Sequence, residues 1–310
     1  MTGTFYYGNE VTWRVTDFLS FDICHGLGEP CDYFEVSFVY TSDMLKLLSK
    51  VNRFRAEQDG ETVFNGVVDE YTISIDETGA KVAVSGRSLA ALLLDNEAEA
   101  VTYGTVTLNT VLGNHVSPYG IGPAKKKSMP PLYVFTVASG DSQWSVLKRY
   151  CRFSAGIEPR FSKDGTLILN DQAGKTRDLT RYGAGIKTKY VDTRYGNISE
   201  VLVKNRVTGA NYTVQNSEFK KRGGCARRVI NVPRTSTYDS MRYTGQYQIA
   251  EAAKDKRYVQ IAVPALFAAF PADKVKIDNS ALGLGGTYKV CESHCFADEN
   301  GYGTELKLEV

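Results

Sequence analysis

Residues 63–98, VFNGVVDEYTISIDETGAKVAVSGRSLAALLLDNEA, hold a long hairpin pattern and a short apolar helix in one unit, and they set the fold class. Val67, Tyr71, Ile73 and Ile75 fall on one face of an extended strand, and Glu70, Thr72, Ser74 and Asp76 on the other. That alternation is the period of a half-buried strand. Thr78-Gly79 turns the chain, and residues 81–85 return with Val82 and Val84 on one face. Ser88 is placed to cap a helix whose apolar stripe is Leu89, Leu92 and Leu93. A unit of the same design closes the chain. Residues 287–297 are extended, Asp298-Glu299-Asn300-Gly301 is a turn, and Leu306, Leu308 and Val310 alternate with Glu305, Lys307 and Glu309. Two such units predict a duplicated barrel.

Outward from this stretch, residues 11–15, 18–24, 33–40 and 52–58 read as strands. A Gly- and Pro-rich loop covers 25–30, a helix capped by Ser42 or Asp43 covers 42–48, and Asp59-Gly60 makes a tight turn. Residues 98–182 change character. A helix starts near Thr107, a proline-bearing loop carries Lys125, Lys126 and Lys127, and residues 132–137 form a strand. The clearest helix is 142–153, with Trp144, Leu147 and Cys151 on one face and Ser139 or Asp141 as its cap. A hairpin follows over 157–169. Residues 183–310 return to β, with a hairpin about Thr208-Gly209, a strand at 227–232, a helix at 246–256 and a strand at 258–263. The pattern predicts a mainly β fold with an α+β insert. The expected domains are 1–97, a first barrel; 98–182, a small α+β unit; and 183–310, a second barrel.

Bulk properties narrow the function. The 310 residues exceed one ordinary core, and 43% hydrophobic with 23% charged residues is globular composition. A net charge of +2 makes no case for an extended nucleic-acid or membrane surface. No apolar run has the length of a transmembrane helix, and MTGTFYYGNEVTW lacks the regions of a signal peptide, which predicts synthesis in the cytoplasm and no membrane anchor. Six cysteines at irregular spacing read as reduced thiols.

Chemical motifs carry little. Gly140-Asp141-Ser142 resembles the nucleophile block of some lipases, yet it lies one turn before an amphipathic helix, where these residues cap. His25, His115 and His294 are the only bases for a Ser-His-Asp arrangement. Cys24, His25 and Cys31, with Cys291, His294 and Cys295, invite a metal reading. On a strand, Cys291 and Cys295 stand about 13 Å apart at about 3.3 Å per residue, too far for one zinc ion without a partner loop. Buried thiols acting as small hydrophobes fit better. Gly283-Leu284-Gly285-Gly286 precedes a strand and is a flexible loop. Asp69 and Glu70 are neighbours on a strand and make no catalytic pair. Lys125–Lys127 and the cluster Lys220, Lys221, Arg222, Arg227, Arg228 read as solvated loops or contacts to an acidic protein partner. No catalytic, cofactor-binding or metal residue is assigned, and no cofactor is expected.

The opening stretch, NHVSPYGI at 114–121 and SGDSQWSVLKRYCRFSAGIEPRFSKDGTLIL at 139–169 together resemble the baseplate hub proteins of tailed phages. These are the late control gene D and XkdQ-like tail proteins, with relatives in tailocins and other contractile injection systems. The resemblance covers roughly residues 30–170; the last third matches in its pattern of strands. It implies two tail-tube-like antiparallel β-barrels per chain and a homotrimer whose six barrels form a ring. Such a ring adapts a sixfold tail tube to a threefold spike. The implied partners are the tail tube protein, the spike protein, baseplate wedge proteins and a tape measure protein, with DNA only passing through the channel. The implied location is the virion tail baseplate, or that of a tail-like particle, and the expected role is structural, without enzymatic activity. A tail-associated cell-wall hydrolase and a carbohydrate- or receptor-binding tail-tip module are the alternatives.

Overall fold

The computed structural model describes residues 1–310 except 28–30, 78, 123, 171–172, 186 and 235, and the side chains of 183–185. The end of the expected 25–30 loop, Thr78 of the first hairpin turn and Pro123 of the proline-bearing loop therefore lie outside the described residues.

The first part of the chain is Thr2–Tyr7 (β1), Glu10–Val15 (β2), Phe18–Gly26 (β3), Tyr33–Val39 (β4), the helix Met44–Leu48 (α1), Arg53–Gln58 (β5), Glu61–Asp76 (β6) and Gly79–Ser88 (β7). β6 and β7 are the hairpin expected from residues 63–85. A bulge between Val68 and Glu70 divides it. Two residues opposite one reverse the side-chain alternation, so Val67 pairs with Arg87 on the outer face while Tyr71 and Ile73 pair with the buried Val84 and Val82. The expected face of Val67, Tyr71, Ile73 and Ile75 is thus broken at its first member. The pattern also outruns the core: Ile75 is 74% exposed near the hairpin tip. Ser88 does not cap a helix; its Oγ accepts from the Asp32 amide at 3.1 Å. The α1 cap position is Asp43, without a side-chain capping bond.

The next elements are Ala91–Leu94 (α2), Val101–Val106 (β8), Leu108–His115 (α3), Lys125–Lys126 (β9), Leu132–Val137 (β10), Gln143–Ala155 (α4), Arg160–Phe161 (β11) and Leu167–Leu169 (β12). Trp144, Leu147 and Cys151 of α4 are buried as their spacing predicts, in a core shared with Leu93, Val111, Phe135 and Leu167. Ser142 is the α4 cap and accepts from the Ser145 amide at 3.1 Å, in the place expected for Ser139 or Asp141. The chain ends with Thr176–Asp178 (β13), Lys187–Asp192 (β14), Glu200–Lys204 (β15), Asn211–Gln215 (β16), Ser217–Lys221 (α5), Arg227–Asn231 (β17), Tyr238–Ala253 (α6), Arg257–Val263 (β18), Lys274–Asn279 (β19), Leu284–Asp298 (β20) and Gly301–Glu309 (β21). Within it, β15, β16 and β17 form a separate sheet under α6, with a small core of Ile198, Val201, Val203 and Met241. α6 starts eight residues before the expected 246, where Thr237 Oγ1 accepts from the Ser240 amide.

β8 pairs with β10, and β9, β11 and β12 form a small sheet; the other strands join one 13-stranded sheet in the order β14-β18-β21-β20-β3-β4-β7-β6-β5-β1-β2, with β19 beside β20 and β13 beside β19. β20 links the halves. It pairs with β19 along its first part and with β3 along its second, opposite the edge taken by β21. The first half curls over a core of Phe5, Phe34, Phe54 and Phe64, with the rings of Phe34 and Phe54 stacked at 4.3 Å. The second half encloses Val259, Ile261, Val275, Val290, Leu306 and Leu308. The fold is therefore mainly β, with α+β parts. Neither half closes into a barrel among the described residues, because β2 and β14 end the strand path with one neighbour each. The two expected barrel units are present as half-sheets that share β20 and stay unclosed among the described residues.

Candidate assembly surface

The residues singled out for chemistry are held by structural bonds. Asp141 pairs with Arg149 at 2.8 Å and accepts from the Ala138 amide, so the Gly140-Asp141-Ser142 block serves the start of α4. His115 sits between Tyr103 and Gln143, and the buried His25 between the Val63 carbonyl and Asp32. β20 and β3 do bring the cysteine segments together: His294 lies opposite Cys24, and Cys295 opposite Ile23. Burial pushes the Cys24 thiol up to about 12 and Cys291 to about 11, which disfavours the thiolates a metal needs. Cys31 bonds to Ser88 instead. Among the described residues no three His, Cys, Asp or Glu side chains gather at metal-binding distance. The Asp22 carboxylate, 3.0 Å from His294 Nε2, raises the imidazole across the β3–β20 seam.

Internal partners also take up much of the basic clusters: Lys126 donates to Asn109 Oδ1. Lys125 and Lys126 are not loop residues but a short strand parallel to β12. Lys220 and Arg227 meet Glu200, Arg222 meets Asp192, and Arg228 donates to Gln248.

Charge instead organises the joints. Arg87 grips Asp69 at the bulge and Asp95 beyond α2, with two bonds to each, and so fixes the root of the β6–β7 hairpin. Glu61, at the start of β6, collects Lys163 from the β11–β12 turn and Lys175 beside β13, each at 3.0 Å. The Lys163 and Lys175 ammonium groups hold its carboxyl at about 2 against an ordinary 4.5. Because the folded value lies below the ordinary one, this stabilisation is whole above pH 4.5 and fades as pH falls toward 2. At 41% exposure it is worth under about 1 kcal/mol. Glu61→Gln is accordingly expected to lower urea stability by that amount at pH 7, with the gap closing between pH 4.5 and 2.

What remains open is the sheet itself. β14 pairs only with β18, and beyond the bulge β6 pairs only with β7, among the described residues. Between these two edges run eight strands, β14-β18-β21-β20-β3-β4-β7-β6, each antiparallel to the next. Six residues, Lys187–Asp192, present one edge, with Lys187, Lys189 and Tyr190 exposed. The other edge carries exposed Glu70, Tyr71, Thr72 and Ile75, with Glu77 at the turn. Unpaired strand edges are templates for further pairing. The sequence pattern missed β14: KTKYVD is short and alternates charge with Thr, Tyr and Val, a weak strand signal.

No protein-family model matches this sequence, and none of the curated proteins matches it. Solved structures do match in fold. The tail protein from Neisseria meningitidis MC58 is 16% identical with a TM-score of 0.78, over 99% of this chain and 95% of that one. The 43 kDa tail protein of prophage MuSo2 from Shewanella oneidensis is 17% identical with a TM-score of 0.77, over 100% and 98%. The Escherichia coli c3393 protein, a component of the type VI secretion system, is 12% identical with a TM-score of 0.57, over 94% and 73%. The chain thus has the fold shared by phage tail proteins and a type VI secretion component.

Proposed function

We propose that this chain is a structural baseplate hub of a phage tail or tail-like particle, acting as a homotrimeric ring between a sixfold tail tube and a threefold spike. The observation that carries this reading is the open eight-strand band. Its number of strands is even and all are antiparallel, so the end strands β14 and β6 run in opposite directions. A copy placed head to tail continues the ladder, with β14 of one copy antiparallel to the outer half of β6 in the next. The lysines of one edge then face the acidic residues of the other. Such a heterologous contact closes into a ring when the rotation per copy divides the circle. Three copies with two half-sheets each give the six units a sixfold tube requires.

In this reading residues 1–97 and 183–310 supply the half-sheets and 98–182 decorate the ring toward wedge or spike proteins, while β13 joins the second half-sheet. The mechanism is geometric and no enzymatic step is assigned: a channel, a symmetry match and docking surfaces for tube, spike and wedge, in the baseplate of the virion tail. Light scattering of the purified chain tests it. A mass near 103 kDa, three times 34.3 kDa, is expected. A mass that stays at 34.3 kDa with tube and spike proteins added would contradict it.

A further inference from the structure

A cavity of about 520 Å³ lies between the β5–β6 turn, β13 and the Leu266–Ala268 backbone. That volume is in the usual range of binding clefts. Two features mark it. First, its arginine donors are underused. Arg177 reaches Glu61 only at 3.5 Å, and its buried Nε has no hydrogen-bond partner among the described residues. The exposed Arg181 guanidinium lies against its neighbour Tyr182, donates to the tyrosine hydroxyl, and is near enough to Asp178 to help lower that carboxyl without a direct bond to it. Of the three acids lining the cavity, Glu61 is engaged by Lys163 and Lys175 and Asp178 by the amide and hydroxyl of Thr180, while Asp59 stands exposed at the β5–β6 turn. Second, among the described residues β13 pairs on one side only, with β19, and all three of its residues line the cavity. Its second edge therefore opens into that space. Lys175, Lys274 and Lys276 add positive charge around it.

We infer that this cleft takes an extended, carboxylate-bearing segment of a partner protein, which adds as a strand to the second edge of β13. Main-chain bonds to β13 hold the segment, and an acidic side chain of it meets the exposed parts of the Arg177 and Arg181 guanidinium groups. The site is distinct from the ring edge. Glu61 and the outer part of β6 lie at opposite ends of a 16-residue strand, roughly 30–50 Å of chain apart, and at the other ring edge β14 begins after Arg181, at Lys187.

The test is fluorescence anisotropy on the full chain, with a labelled octapeptide alternating valine and aspartate against one alternating valine and lysine. The acidic peptide is expected to bind saturably and the basic one not. Arg177→Gln and Arg181→Gln are each expected to weaken binding at least tenfold with the circular dichroism unchanged, and the peptide should slow amide exchange at residues 176–178. Should Arg177→Gln fail to fold, the exposed Arg181→Gln carries the comparison. Equal binding of both peptides, no binding, indifference to the arginine changes, or unchanged exchange would each overturn the inference. So would free aspartate competing as well as the peptide, since that marks a small-anion site. None of these outcomes depends on the mass of the assembly, so this test and that of the ring fail separately.

Discussion

Lys187→Glu combined with Lys189→Glu is expected to disperse the proposed ring into monomers at concentrations where the parent chain is trimeric. Both lysines are exposed on β14, the basic end of the eight-strand band. Facing them across the proposed junction is the outer half of β6, with Glu70 exposed and Glu77 at its turn. Cross-strand pairs of opposite charge are worth about 0.2–1 kcal/mol each, and like charges opposed cost as much. Glu70 and Glu77 are seven residues apart and the two lysines only two, so any one register opposes a single pair; turning it from attraction to repulsion weakens each junction by about tenfold. Light scattering over a dilution series reads this directly. Adding Glu70→Lys and Glu77→Lys to the same chain restores opposite charge and is expected to restore the ring. Dispersal without rescue would mean that the variant damages β14 itself, and full retention of the trimer would place the junction elsewhere.

Gly86→Ala carries the largest expected loss of stability. Gly86 lies on β7 between Phe34 of β4 and Val68 of β6. A Cβ there would sit 2.0 Å from the Val67 carbonyl oxygen and 2.7 Å from the Phe34 ring. Neither neighbour can yield, for the carbonyl belongs to the ladder and Phe34, 1% exposed, is stacked on Phe54. Gly66 stands in the same relation to the Arg87 carbonyl, at 2.1 Å. Glycine in a strand interior marks such close backbone approach, and here the two glycines flank the bulge where the hairpin bends. Gly86→Ala is expected to cost about 3 kcal/mol in urea unfolding. Gly104→Ala, with nothing within 4 Å of the added atom, should stay within about 0.5 kcal/mol of the parent. Equal effects of the two would show that the bend does not depend on the glycine contact.

The hairpins were legible because their turns and alternation are local: Asp59-Gly60, with both residues at positive φ, and residues 71–84 needed no distant partner. What alternation does not encode is which strand lies beside which. The β3–β20 pairing joins residues 21–26 to 292–297, and no periodic signal in either segment specifies the other. This pairing replaced two separate barrels with one continuous sheet. The bulge at Asp69 escaped for a related reason, since an extra residue leaves the composition of a strand unchanged while reversing its faces. α6 began earlier than its pattern because Gly245 interrupts a helical run, and that glycine lies close against Val214, leaving no room for a Cβ. The motifs that invited chemistry were visible in sequence; in the structure Ser142 caps α4 and His25 and His115 are hydrogen-bonded within the fold. The edges that support assembly were not, because an edge is defined by the neighbour it lacks.

End-on images of the purified chain in negative stain test the ring most directly. Particles with a threefold outline, six lobes and a central hole are expected, with loss of all three in the Lys187→Glu, Lys189→Glu chain. Particles of the parent chain with twofold symmetry, or solid particles without a channel, would contradict it.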